Sequence, residues 1–281
     1  MIDIITDTLL DSVKLIPFLF LTYLAMEYIE HKTSNKTKNA IKKAGKFGPV
    51  AGGILGAFPQ CGFSAAASSL YAGRVITTGT LVAIFLSTSD EMLPIFLSES
   101  VEISVIVKIL LIKVLIGIAA GLVIDMFYKR ESSTMKIGEV CEHEHCHCEK
   151  SLLKSAVKHT LHITLYIVAV SFVINIIISF VGEENLSAIL LNRPVLGQIF
   201  AGVVGLIPNC AASVVITQLY LAGIISFGSM MSGLLVGAGV GLLILFKVNH
   251  HMKENFKIVA MLYIIGVAAG ILLEYAGGII L

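Results

Sequence analysis

Cys61 closes the string Gly53-x-x-Gly56-x-x-Pro59-Gln60-Cys61, and Cys210 closes Gly202-x-x-Gly205-x-x-Pro208-Asn209-Cys210. The offset is 210 − 61 = 149, and 202 − 53 gives the same. Proline favours the first position of a helix, so Pro59 and Pro208 are expected to start helices with Cys61 and Cys210 in the first turn. Unpaired N–H groups and the positive end of the dipole there favour the thiolate, the form that binds metal. Two such thiols brought together make a soft-ligand site, with Gln60 and Asn209 as hydrogen-bonding neighbours. The competing reading is that each cysteine is a small apolar residue packed into a Gly-rich hairpin.

A second group is Ser87-Thr88-Ser89-Asp90-Glu91, which lies inside an apolar run. Adjacent carboxylates in such a run are costly and mark function, and buried carboxylates can titrate near neutral pH. Asp90 and Glu91 therefore read as proton-coupling groups, with Lys113 of the next helix as their partner, and the three hydroxyls read as substrate contacts. A purely structural pairing with Lys113 is the alternative. The corresponding stretch in the second half, Val236-Gly237-Ala238-Gly239-Val240, has no acid. Its glycines point to an unwound or closely packed segment.

A third group, Cys141, His143, His145, Cys146, His147 and Cys148, lies in a polar loop and offers soft and borderline ligands for zinc, copper or arsenic(III). A solvated linker is the plain alternative. His159 and His162 are weaker candidates. The five cysteines do not resemble a secreted disulfide framework and are expected to be reduced thiols.

The elements that must carry these residues are membrane helices. Of 281 residues, 56% are hydrophobic and 14% charged, against about 45–50% apolar in a soluble domain. The apolar runs are continuous, as helices require, rather than alternating as in a barrel. The expected fold is all-α and polytopic. Asp3, Asp7 and Asp11 stand where a leader would be basic, so the first apolar run is expected to be a retained helix. A formal net charge of +1 gives no reason to expect a nucleic-acid partner. The partners expected are the lipid bilayer and a small-molecule or ion substrate. Homo-oligomerisation stays open.

The basic loop holding Lys32, Lys36, Lys38, Lys42, Lys43 and Lys46 is cytoplasmic by the positive-inside rule. That puts the N-terminus outside, and Lys136, Lys150, Lys154 and Lys158 put the Cys/His loop inside. Residues 47–72 and 195–222 each hold two half-length helices around a Pro-containing tip, a re-entrant hairpin. Continuous spans are expected at 75–97 and 224–246. Each half then has three spans and one hairpin, an odd count of crossings, so the halves are oppositely oriented and the C-terminus is outside. The expected organisation is a first repeat over 1–130, a cytoplasmic loop over 131–153 and an inverted repeat over 154–281, ten helical segments in all. Leu70-Tyr71 against Leu219-Tyr220, Gly117-x-Ala119-Ala120-Gly121 against Gly266-x-Ala268-Ala269-Gly270, and Asp125 against Glu274 keep the same offset. Asp125 and Glu274 are expected at the membrane interface.

Three strings, Phe58-Pro59-Gln60-Cys61-Gly62-Phe63-Ser64, Ser87-Thr88-Ser89-Asp90-Glu91-Met92-Leu93-Pro94 and Ile207-Pro208-Asn209-Cys210-Ala211-Ala212-Ser213, carry a resemblance. The chain resembles the ten-helix heavy-metal exporters, a family labelled arsenic efflux proteins and related to organoarsenical permeases. The ten helices fit if each hairpin counts as two. The resemblance implies export of a heavy metal or metalloid and adds Ser64 and Ser213 to the substrate-binding set. The same family carries a manganese-transporter label, and manganese prefers the oxygen ligands of Asp90, Glu91 and the hydroxyls to thiols.

The function expected is proton-coupled secondary efflux of a soft metal or metalloid across the cytoplasmic (inner) membrane. The metal or metalloid is the substrate, and no cofactor is required. A small-anion carrier, drawn to two opposed helix N-termini, a divalent-metal carrier for manganese and a membrane metal sensor stay open. No nucleophile and base constellation suggests an enzyme, and there is no Walker A loop for ATP drive.

Overall fold

The computed structural model describes residues 45–58, 61–89, 92–128 and 195–280, with backbone alone at 46, 61 and 277–280 and isolated helical positions within 16–24 and 157–173. These residues are helical with no strand among them, and four apolar helical stretches are long enough to cross a membrane: Thr78–Ser98, Ile103–Phe127, Phe227–Val248 and Met252–Ala276. The chain is an all-helical, multi-pass membrane protein. The basic loop after residue 31 and the Cys/His loop lie outside the described residues.

In the first half, α1 (Gly48–Gly56) and α2 (Cys61–Ala72) precede α3 (Thr78–Ser87), α4 (Met92–Ser98) and α5 (Ile103–Phe127). In the second, α6 (Leu196–Gly205) and α7 (Cys210–Leu221) precede α8 (Phe227–Val236), α9 (Val240–Val248) and α10 (Met252–Ile280). Helices α1, α3 and α5 pack on one another, and so do α6, α8 and α10. Between the halves, α2 packs on α9, α7 on α4, and α3 on α8. Each of these pairings has its counterpart in the other half.

Lipid tails are as apolar as leucine, so close backbone approach must hold such helices together. Small residues provide it. A Cβ on Gly79 of α3 would lie 2.1 Å from the Gly121 carbonyl oxygen of α5, and one on Gly228 of α8 would lie 2.5 Å from the Gly270 oxygen of α10. Likewise a Cβ on Gly56 would meet the Ile84 oxygen at 2.6 Å, and one on Gly205 the Gly233 oxygen at 2.3 Å. All four partners keep the offset of 149. The Gly-rich motif is therefore first a packing motif that seats α1 on α3 and α6 on α8.

Asp125 and Glu274 each bond to the start of a neighbouring helix. The Gly79 N–H donates to Asp125 Oδ1 at 2.8 Å and Thr77 Oγ1 donates to Oδ2 at 2.6 Å. The Gly228 N–H donates to Glu274 Oε2 at 2.7 Å. Thr77 and Ser226 are the N-caps of α3 and α8, their hydroxyls accepting from the Thr80 and Ser229 N–H groups at 3.1 and 3.2 Å. A carboxylate at a helix N-terminus satisfies orphan donors and the dipole together. Replacing Asp125 with Ala removes two charge-assisted bonds and should lower stability by about 2 kcal/mol. A thermal-melting comparison with Asp125→Asn, which keeps an acceptor, should show the smaller loss for Asn.

The two spans expected to be continuous are each interrupted. Helix α3 ends at Ser87, and Thr88 leaves helical geometry at φ −55° and ψ 130°. Helix α8 ends at Val236 and α9 resumes at Val240, with Gly237 at φ −67° and ψ 98° and Gly239 at φ 50° and ψ −138°. The breaks are equivalent, since 88 + 149 = 237. The second coincides with the glycines that pointed to an unwound segment, and the first carries no glycine at all.

Candidate substrate site at the helix breaks

The breaks converge on one small cavity. Its walls come from the α3 break and the start of α4 (Thr88, Ser89, Met92), from Lys113 of α5, from the end of α6 (Gly205), from the cap and start of α7 (Asn209, Ala212, Ser213), and from the α8 end and break (Gly233, Leu234, Gly237, Gly239). A helix break frees backbone carbonyls and amides, and membranes tolerate such backbone where it is buried in protein or lines a cavity. The lining is accordingly mixed. Hydroxyls, an amide, a thioether and one ammonium stand among Leu234, Ala212 and four glycines, and the surface lining the space is mostly apolar.

Lys113 is 1% exposed. Its Nζ donates to the Thr88 carbonyl at the α3 break and, at 3.0 Å, to the Leu234 carbonyl in the last turn of α8. It therefore joins the first half to the second. The equivalent position in the second half is Leu262, also buried. The cation is an asymmetric feature of an otherwise repeated frame.

Between α6 and α7 the chain turns, α7 starts at Cys210, and Asn209 is its N-cap, accepting from the Ala211 N–H at 3.2 Å through Oδ1. Pro208 thus precedes the cap rather than opening the helix. Its fixed φ shapes the turn, and the cap role falls to Asn209, whose side chain can accept a bond that proline cannot. Cys210 does occupy the first helical position, as expected. It is 6% exposed, and the cavity's described lining does not include it. Ser213 Oγ donates to the Cys210 carbonyl at 2.7 Å and sits on the cavity wall.

Of the residues singled out in the sequence, Thr88, Ser89, Lys113, Asn209 and Ser213 come together at this cavity. Ser87 does not: its Oγ donates to the Ala83 carbonyl at 2.6 Å, and a Cβ on Gly117 would lie 2.3 Å from it. Ser64 is fully buried where α2 meets α9, its carbonyl accepting from Ser68 Oγ at 3.0 Å. Ser68 Oγ also lies 2.7 Å from the Gly241 carbonyl. Gln60, the Cys61 side chain, Asp90, Glu91 and the six Cys/His loop residues lie outside the described residues. Among the described residues, no three His, Cys, Asp or Glu side chains gather where they could hold a metal ion.

Sequence reading missed Met92, Leu234 and the glycines at 205 and 233 as wall residues. The thioether of Met92 was inside a string already quoted and is a soft ligand. Leu234 contributes a carbonyl, which no side-chain pattern reports.

Two apolar stretches long enough to cross a membrane break where they meet this cavity. The chain belongs to the family described as "putative, 10TM heavy-metal exporter", whose model matches residues 1–181. That is the family whose motif strings the sequence resembles. Helices α6 to α10 lie beyond the matched residues. No curated protein and no solved structure gave a significant match.

Proposed function

We propose that this exporter is a secondary transporter of a soft metal or metalloid, built from two inverted repeats, with its substrate site at the helix breaks and hairpin tips. The observation that carries the reading is the cavity where the α3 and α8 breaks meet the start of α7. Discontinuous helices at a repeat interface are how many carriers build a midplane site. The inverted arrangement is supported by the helix pairings, caps and glycine contacts that recur at one offset. The odd number of crossings read in each half would turn one copy over with respect to the other.

Substrate enters this reading as a soft, thiol-seeking species. Cys210 stands in the first turn of α7, one residue from the wall residue Asn209, and Met92 supplies a thioether to the wall. In the proposed two-fold frame Cys61 occupies the equivalent place at the start of α2. The hydroxyls of Thr88, Ser89 and Ser213 and the amide of Asn209 suit the hydroxide groups of a metalloid such as arsenite. Asp90 and Glu91, between the wall residues Ser89 and Met92 in the chain, are the proposed proton carriers.

The test is resistance to arsenite, with zinc in parallel, in cells carrying the wild type, Cys61→Ser, Cys210→Ser or the double variant at matched membrane levels. Each single change should lower protection by about tenfold, the effect of losing roughly 1.4 kcal/mol of binding. Wild-type resistance in the double variant would remove the thiols from the mechanism.

A further inference from the structure

Helices α2 and α7 end in the same way. The Val75 N–H donates to the Leu70 carbonyl and the Arg74 N–H to that of Tyr71, while at the repeat offset the Ile224 N–H donates to Leu219 and the Gly223 N–H to Tyr220, all at 2.9 or 3.0 Å. This ending places one residue in the left-handed region, where glycine is favoured because it has no Cβ. Gly223 takes that place in the second half at φ 71°, but in the first half Arg74 takes it, at φ 60°. A long L side chain held where the other half uses glycine points to a task for that side chain. The task lies across the boundary between the halves. Arg74 Nη1 is 3.5 Å from Glu254 Oε2 in the first turn of α10, with both side chains partly buried. One turn further along α10, Lys257 Nζ stands 5.8 Å from the ring centre of Tyr128, the C-cap of α5, a second attraction between the halves. At the repeat offset the equivalents of Arg74 and Glu254 are Gly223 and Val105, and that of Tyr128 is Gly277, so those positions carry neither the ion pair nor the ring. Lys247, Lys253 and Lys257 mark the α9–α10 turn as cytoplasmic by the positive-inside rule. In the proposed inverted frame Gly223 and Val105 belong to the opposite face.

We propose that Arg74 and Glu254 form a latch that holds the two halves together at the cytoplasmic end and must part when a path opens from that end to the cavity. The inference deepens the transport reading and rests on it for the movement of one half against the other. Because the frame is repeated and this pair is not, the latch biases the resting carrier toward the conformation closed at the cytoplasmic end. Glycine at 74 would keep the ending of α2 and leave the halves unlatched.

The test is amide hydrogen exchange of the full-length protein in detergent, without substrate, for the wild type, Arg74→Gly, Glu254→Gln and the double variant. Glycine suits the backbone at 74, so faster exchange in Arg74→Gly reports an opened path rather than a weakened helix end. Peptides carrying Thr88, Asn209 and Gly239 of the cavity wall should exchange roughly two- to fivefold faster in each single variant, the size of a partly exposed ion pair's contribution to an opening equilibrium. The peptide carrying Gly223 should not change. The double variant should open no further than the single ones, because the cycle isolates the pair whatever else Glu254 meets. Cavity peptides that exchange at the wild-type rate in Arg74→Gly would overturn the latch. So would additive effects in the double variant, or a Gly223 peptide that speeds up with the others. Glu254→Gln decides the matter by the same peptides should Arg74→Gly not fold. Wild-type arsenite resistance in the thiol variants would sink the proposed substrate site and leave the exchange result standing.

Discussion

Gly79→Leu is expected to abolish folded protein. The Cβ alone would stand 2.1 Å from the Gly121 carbonyl oxygen and 2.5 Å from Asp125 Cγ, so a leucine side chain must push α3 off α5 by more than its neighbours can yield. Overpacking a well-packed interface costs about 1–3 kcal/mol when flexible side chains can move aside. Here the obstacle includes main chain. The same displacement pulls the Gly79 N–H away from Asp125, so a cap is lost along with the packing. The combined cost should exceed about 3 kcal/mol, a large share of a marginal fold's stability. Detergent-solubilised protein should show no monodisperse peak in size-exclusion chromatography. Gly45→Ala is the control, since a Cβ there meets only Thr77 Cγ2 at 3.9 Å and should leave the profile unchanged. Gly228→Leu should fail in the same way, against Glu274 and the Gly270 carbonyl. A monodisperse Gly79→Leu variant would mean that α3 and α5 are not in backbone contact.

The residues that announce the repeat in the sequence are those that cannot change without moving a helix. Gly56 and Gly205, and Gly121 and Gly270, each lie against backbone; Gly79 and Gly228 do too, at the same offset, though the sequence reading did not single them out. Legibility fails where the structure uses main chain or distant partners. The break after α8 is written in Gly237 and Gly239, whereas the break after α3 falls at Ser87-Thr88-Ser89, a string with no obligate turn residue. There the hydroxyls of Ser87 and Thr88 bond back to the Ala83 and Ile84 carbonyls, a local competition with helix pairing that only the coordinates reveal. Asp125 looked like a residue near a membrane surface because its position at the end of α5 says so, but its partners Thr77 and Gly79 are 48 and 46 positions away. Pro208 was displaced by two positions from its expected helical role because asparagine, with an acceptor of its own, is the better cap. Lys113 was read as the partner of Asp90 and Glu91, and the carbonyl oxygens of Thr88 and Leu234 that its Nζ also meets are backbone atoms that no side-chain pattern reports.

Asymmetry bears on how the two halves divide their work. The frame of glycine contacts and carboxylate caps is repeated, yet the first break is followed by Asp90-Glu91 and faced by Lys113, and the second by Gly239-Val240 and Leu262. Among the described wall residues, the charged one, Lys113, comes from the first half. The other side offers Asn209, Ser213 and bare backbone.

Gly239→Val should stop transport in protein that still reaches the membrane. Gly239 sits at φ 50° and ψ −138°, a conformation with positive φ far from the left-handed helical region, where a β-branched side chain is strained. Strain at such a position is worth about 1–3 kcal/mol, less than the packing loss at Gly79 and within what a fold of ordinary stability can survive. The cheapest relief is to rotate the backbone toward negative φ, which re-aims the first turn of α9 and the chain leaving α8. Both lie on the cavity wall or next to it: Gly237 and Gly239 line it, and the Leu234 carbonyl three residues before Gly237 holds Lys113. Protection against arsenite should fall by at least about tenfold, while the melting temperature drops only by a few degrees and the size-exclusion profile stays monodisperse. Gly239→Ala, which adds one carbon but keeps the strain, should lie between the wild type and valine in both measurements. Undiminished resistance with valine at 239 would show that neither the second helix break nor the space beside it takes part in moving substrate.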